Sequence, residues 1–267
     1  MEALRNKAHE LLTSEQVKVI IGYGEGSEQR THAVFIQKPA DVTQLIFDAR
    51  CTQNIGVYLM KAEVKALGKM GIVAPPSVLR TVLQLASENQ LTDADVLVIG
   101  VNADGKVVEF GNLVAVETYL KTLTLEASAE DKAKIEQIEK MTVAERWEYW
   151  QQQLSACFKC YACRSACPMC YCSRCTVECN QPQWIPVAAH QMGNLEWHMM
   201  RAMHLAGRCV ECGECGRACP LDIPIHLLTQ KIAADIHKDF DWQAGTSLKM
   251  ENPLSTFKPN DKESFIN

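Results

Sequence analysis

The chain has 267 residues, 47% of them hydrophobic, and a formal net charge of -5 at neutral pH. That length can bury a real core in one full domain plus a smaller one, so its thirteen cysteines are not needed as disulfide staples. The acidic balance, with no run of six basic residues, leaves no basic footprint and excludes nucleic acid as the main partner.

Residues 3–16 read as an amphipathic opening helix, and the first 25 residues carry no apolar signal segment. Strands follow at "VKVIIGY" from Val17 and "HAVFI" from His32. "KPADVTQLIFDA" from Lys38 reads as a helix, because Pro39 suits a first turn and Val42, Leu45 and Ile46 fall at helical spacing. The alternation continues with a strand "GIVAP" from Gly71, a helix over 77–86 and a strand "DVLVIGV" from Asp95. Continuous apolar strands with helices between them predict a small α/β domain whose sheet is covered on both faces. A charged helix near 128–140 leads through Thr142 into "VAERWEYWQQQLSA", which places Trp147 and Trp150 on one side and delivers the chain into Cys157. A further helix ends at Gly207 as its C-cap, and a last one covers 223–237, with Asp222 as an N-terminal capping residue. From Asp239 the chain is polar, with Pro253 and Pro259, and such a tail orders only against a partner.

The fold class expected is therefore α+β. An α/β domain over 1–141 serves docking and is a candidate degenerate cofactor domain. An α-helical, cysteine-rich, dicluster ferredoxin-like domain covers 142–238, and a polar tail covers 239–267. The apolar runs, such as "VLVIG" from Val96, fall far short of a membrane span.

Twelve of the thirteen cysteines lie between Cys157 and Cys219. An odd count and repeated C-x2-C pairs point to a reducing compartment, the cytoplasm, where such thiols hold metal. Cys157-x2-Cys160-x2-Cys163-x3-Cys167-Pro168 is repeated as Cys209-x2-Cys212-x2-Cys215-x3-Cys219-Pro220. Three cysteines at two-residue intervals can curl around one face of a [4Fe-4S] cubane, while the cysteine before proline ligates the other cluster of a two-cluster ferredoxin. One cluster is thus expected on Cys157, Cys160, Cys163 and Cys219, the other on Cys209, Cys212, Cys215 and Cys167. Zinc binds paired C-x2-C units, but it accounts for neither the third cysteine nor the one before proline, occurring twice.

Cys170, Cys172, Cys175 and Cys179 remain, together with the isolated Cys51. A third [4Fe-4S] cluster drawn from this patch, with Cys51 replacing one member, stands beside a zinc site and a site shared with a partner. The linker residues Met192, Trp197, His198, Met199, Met200, Met203 and His204 read as helix core, with satisfied or exposed imidazoles. Arg164, Arg174, Arg208, Arg217 and Lys159 lie near the ligands in sequence, as cations offsetting cluster charge or as ordinary solubilising residues. "GYGEGS" from Gly22 is a candidate glycine-lined edge for FAD, and equally a turn needing glycine. Neither a nucleophile elbow nor H-E-x-x-H occurs, so no catalytic residue is assigned.

"CFKCYACRSACPMCYCSRC" with the following "PQW" resembles the cluster region of iron–sulphur proteins related to the beta subunits of coenzyme F420-reducing hydrogenase and formate dehydrogenase. "KPADVTQLIFDARCTQNIGVYL", "GIVAP" and "ADVLVIGV" are similar to that family's N-terminal α/β domain. "AMHLAGRCVECGECGRACP" also resembles the small iron–sulphur subunit of heterodisulfide reductase and succinate-dehydrogenase-like iron–sulphur subunits. The resemblance implies an electron-transfer subunit of a multi-subunit cytoplasmic redox complex, with partners carrying flavin or iron–sulphur clusters. It also implies Cys51, with Cys170, Cys172 and Cys175, as third-site ligands, Cys179 being the local alternative. Where relatives often show a Gly-Cys-Asp-Ser-Arg segment this chain has "APPSVLR" from Ala74, and where they often have a cysteine it has Asn102, Ala103 and Asp104. The resemblance thus implies an α/β domain without its own catalytic half. The competing readings are a flavin-containing oxidoreductase subunit binding FAD in the N-terminal domain and a zinc-bound assembly scaffold.

Overall fold

A computed structural model describes residues 1–102, 105–125, 128–179, 181–249 and 251–256. The chain divides into two units, Met1–Thr124 with Gly245–Met250, and Leu125–Ala244 with Glu251–Asn267.

The first unit is α/β. Its strands are β1 (Val19–Glu25), β2 (Thr31–Ile36), β3 (Met70–Ala74), β4 (Val96–Val101) and β5 (Val107–Glu109), in the order β2-β1-β3-β4-β5. β1, β3 and β4 run parallel, while β2 and β5 close the edges antiparallel. Every residue of β3 is buried, as an apolar run without alternation requires when both faces are covered. Helices α1 (Glu2–Thr13), α2 (Ala62–Lys65), α3 (Pro76–Ser87) and α4 (Leu113–Leu120) belong to this unit. α3 opens on a proline and is buried nearly all round, including the polar Thr81 and Gln84. Asn54 Nδ2 donates to Thr81 Oγ1 at 2.8 Å, and Gln84 Oε1 accepts the N–H of Gly245 at 2.8 Å. These partners satisfy polar groups that burial would otherwise penalise.

The second unit is helical: α5 (Ala129–Glu139), α6 (Val143–Ser155), α7 (Ala162–Ser165), α8 (Gln191–His204), α9 (Glu214–Arg217) and α10 (Ile225–Phe240). Thr142 and Glu145 close a capping box that fixes the start of α6, and α6 packs against α8. Asp131 ties α5 to α10, accepting from Gln230 Nε2 at 3.2 Å and facing His226 Nε2 at 3.2 Å.

Several local expectations give way to packing. The segment from Lys38 is a 3-10 turn over Pro39–Gln44 rather than a longer helix, because the N–H of Ile46 donates to Tyr23 O at 2.9 Å and is drawn into the sheet. Gly22 and Gly24 of "GYGEGS" lie inside β1, where a Cβ would run into Leu45 and Val34 respectively, so close packing accounts for both glycines. Asp222 does not cap the last helix. It sits at φ +51° in the turn after Cys219, and the residue preceding α10 is Pro224. The described part of the tail is packed within the chain: Trp242 Nε1 donates to Gly207 O at 2.8 Å, and Ala244 and Asn252 are buried. Pro259 lies outside the described residues, as do Ala103 and Asp104.

Candidate metal centre

The two cysteine runs fold alike, residue for residue. In the first, Lys159 (φ +56°) and Tyr161 (φ +60°) take left-handed backbone, and in the second Glu211 (φ +58°) and Gly213 (φ +75°) do so at the matching positions. Left-handed backbone is uncommon for residues with a side chain, so its recurrence at matching positions marks a specific loop shape. The N–H of Lys159 donates to Cys157 Sγ at 3.3 Å, and that of Glu211 to Cys209 Sγ at 3.4 Å. Each loop then enters a short helix, α7 or α9, which carries the third cysteine. Cys163 and Cys215 are buried, and both belong to a core with Leu154, Leu195, Trp197 and Ile223.

Several thiols are close enough to influence one another's charge. Burial, with Cys160 and Cys219 as neighbours, pushes the Cys157 thiol up. Burial pushes Cys163 up to about 12, with Cys215, Cys157 and Cys219 adding to the effect. Cys209 is likewise pushed up to about 12 by burial, beside Cys212 and Cys215. The thiols of Cys157, Cys160, Cys163, Cys215 and Cys219 thus lie within electrostatic reach of one another, as do those of Cys209, Cys212 and Cys215. Cys167 meets Cys170, whose thiol is raised by a hydrogen bond to Cys167 and by burial.

Cys170 is half-buried, Cys175 packs against the core, and Cys172 and Cys179 are exposed. Cys51 is buried in the first unit, its Sγ accepting the N–H of Asp48 at 3.4 Å. Among the described residues, no three His, Cys, Asp or Glu side chains meet at one point as a single metal ion would require.

α8 contributes three polar side chains that spacing did not single out as functional. Asn194, His198 and Arg201 lie on its buried face. Asn194 Nδ2 donates to Cys157 O at 2.7 Å, Leu154 O at 3.2 Å and Ser155 O at 3.4 Å. His198 Nε2 lies 3.3 Å from Cys157 Sγ, and burial, aided by the charges of Arg201 and Lys159, pulls its pKa down to about 4, so the ring is neutral. Arg201 is 4% exposed and donates to Cys163 O at 2.9 Å. The methionines expected in the helix core instead face outward: Met192, Met199, Met200 and Met203 are 42–59% exposed. The inner face is held by polar groups because it packs on cysteine loops that offer sulphur and carbonyl acceptors.

The neighbouring cations chiefly hold loops. Lys159 is buried, donates to Pro186 O and is lowered by that burial. Arg164 binds Cys172 O and pairs with Glu178, both at 3.1 Å, and Arg217 pairs with Glu214 and binds Cys212 O. Arg208 lies over the Tyr171 ring, 5.3 Å from its centre.

These residues fit [4Fe-4S] clusters. The buried thiols would be neutral alone and become ligands only when a metal takes the place of their protons. Trp197 Nε1, His198 Nδ1 and Arg201 Nε are buried polar atoms with no hydrogen-bond partner among the described residues, and all three lie on the helix facing the cysteines.

Residues 169–224 match the 4Fe-4S dicluster domain family, a span that includes the second run and Cys170 to Cys179. This match supports an iron–sulphur protein. Over 99 residues it is 31% identical to the F420-dependent formate dehydrogenase subunit beta of Methanocaldococcus jannaschii, covering 37% of this chain and 25% of the relative. Over 98 residues it is 31% identical to the F420-dependent formate dehydrogenase 1 subunit beta of Methanococcus maripaludis, covering 37% and 24%. The chain therefore spans about a quarter of the length of the curated relatives it matches. Among the described residues, no helix is long and apolar enough to cross a membrane.

Proposed function

We propose that the chain is an electron-transfer subunit of a formate dehydrogenase-like redox complex, passing single electrons between partner subunits through [4Fe-4S] clusters. The observation that carries this reading is the duplicated cysteine loop. Two runs of identical spacing share one backbone shape, and Cys219 is within electrostatic reach of Cys157 and Cys163, which supports the reading. In this reading Cys157, Cys160, Cys163 and Cys219 hold one cluster, and Cys209, Cys212, Cys215 and Cys167 hold the other. Cys170, Cys172, Cys175 and Cys179, with Cys51 as alternate, are candidates for a third. The resemblance to formate dehydrogenase beta subunits supports partners that carry redox centres, and the free thiols support a cytoplasmic setting.

Protein purified without oxygen should be brown and contain acid-labile sulphide. About eight irons per chain would mean two cubanes and about twelve would mean three. Cys167→Ser should lower iron by about four per chain, removing the signal of the cluster anchored by the remote Cys209 run. A colourless preparation lacking iron and sulphide would overturn the assignment.

A further inference from the structure

Arg201 is a charged group enclosed by the cysteine-bearing loops, and among the described residues no carboxylate pairs with it. It is 4% exposed, one guanidinium nitrogen donates to Cys163 O at 2.9 Å, and its Nε has no hydrogen-bond partner among the described residues. Cys170 and Cys215 lie near its side chain. The sulphurs of Cys167, Cys170, Cys163 and Cys215 lie within electrostatic reach of its guanidinium. Those neighbours come from both runs. An enclosed cation without a counter-charge is strongly unfavourable, so the sulphur groups around it must supply the negative charge.

We propose that Arg201 is a positioning residue shared by the two clusters, its fixed charge making both easier to reduce. The inference rests on the cluster reading above. Each reduction adds one electron from a one-electron donor and makes the cluster one charge more negative, with no proton required. A fixed positive charge in a poorly solvated setting stabilises the reduced form more than the oxidised form. His198 provides the internal contrast. Its ring approaches Cys157 Sγ, so its influence should be confined to the first cluster.

The test is a dithionite titration of the full chain followed by electron paramagnetic resonance, with iron and sulphide measured on each sample. Arg201→Met removes the charge at similar volume, Arg201→Lys keeps it, and His198→Phe removes the ring nitrogen. In Arg201→Met the reduction equilibrium of both clusters should weaken at least tenfold, which for a one-electron couple is about 59 mV. Arg201→Lys should stay near the parent, and His198→Phe should shift one cluster only. Iron-replete Arg201→Met with both potentials unmoved, or only one moved, overturns the proposal while leaving the cluster assignment intact. If Arg201→Met fails to assemble, full loading of Arg201→Lys with parental potentials supports a charge role. Equal failure of both variants overturns it in favour of a shape-specific anchor on Cys163 O. A parent chain devoid of iron overturns the cluster assignment and this proposal together.

Discussion

Asn194 shows how one amide can hold a cluster loop in place. Its Nδ2 reaches three carbonyls, two at the end of α6 and that of Cys157, where the helix hands the chain to the first cysteine run. A helix end leaves its last carbonyls without intrahelical donors; here Ser155 is exposed, while Leu154 is 1% exposed and its carbonyl also accepts the N–H of Cys157 at 3.1 Å. Asn194→Ala should cost about 0.5–1.5 kcal/mol, the net worth of a lost hydrogen bond. It should be read as a lower temperature for loss of the visible cluster absorption, with parental iron content before heating. A parental melting temperature would show that the carbonyls find other donors.

At the scale of elements, the two cysteine loops with α7 and α9 are near-copies whose differences follow from their surroundings. Tyr161, at the position of Gly213, keeps its left-handed backbone while its ring packs on Trp197, with centres 5.3 Å apart. Gly216, at the position of Arg164, has no room for a side chain, because a Cβ there would strike the His226 ring. Gly216→Ala should therefore lower cluster retention on heating, whereas the double variant with His226→Ala should recover most of the loss, a coupling expected only of residues in contact. The alternation of strands and helices was legible in the chain, because the apolar runs of β1, β3 and β4 have no other economical burial. The cysteine loops were legible from spacing. The inner face of α8 was not: Asn194 and Arg201 carry no signal in spacing, and His198 reads with the methionines as helix core. That reading assumes a hydrocarbon neighbour, whereas this helix rests on sulphur and carbonyl groups. The shortened turn at Pro39–Gln44 was hidden for a similar reason, a long-range pairing of Ile46 with Tyr23 overriding local spacing.

At the scale of the molecule, the first unit is built from two stretches of chain, Met1–Thr124 and Gly245–Met250. The second stretch supplies the partner of Gln84 and lies so close to α3 that Gly245, at φ +74°, places its missing side chain against Arg80 O. Gly245→Val should thus reduce the hydrogen-exchange protection of α3 amides, with iron content per chain unchanged. Undiminished protection would mean that the contact is dispensable. The arrangement also bears on synthesis. Amino-terminal domains generally fold while the ribosome is still adding residues, yet here the last piece of the first unit emerges only after every cysteine of the second. Gln84 must wait for its backbone partner until translation has passed residue 245, so the unit made first is the one that cannot be finished first.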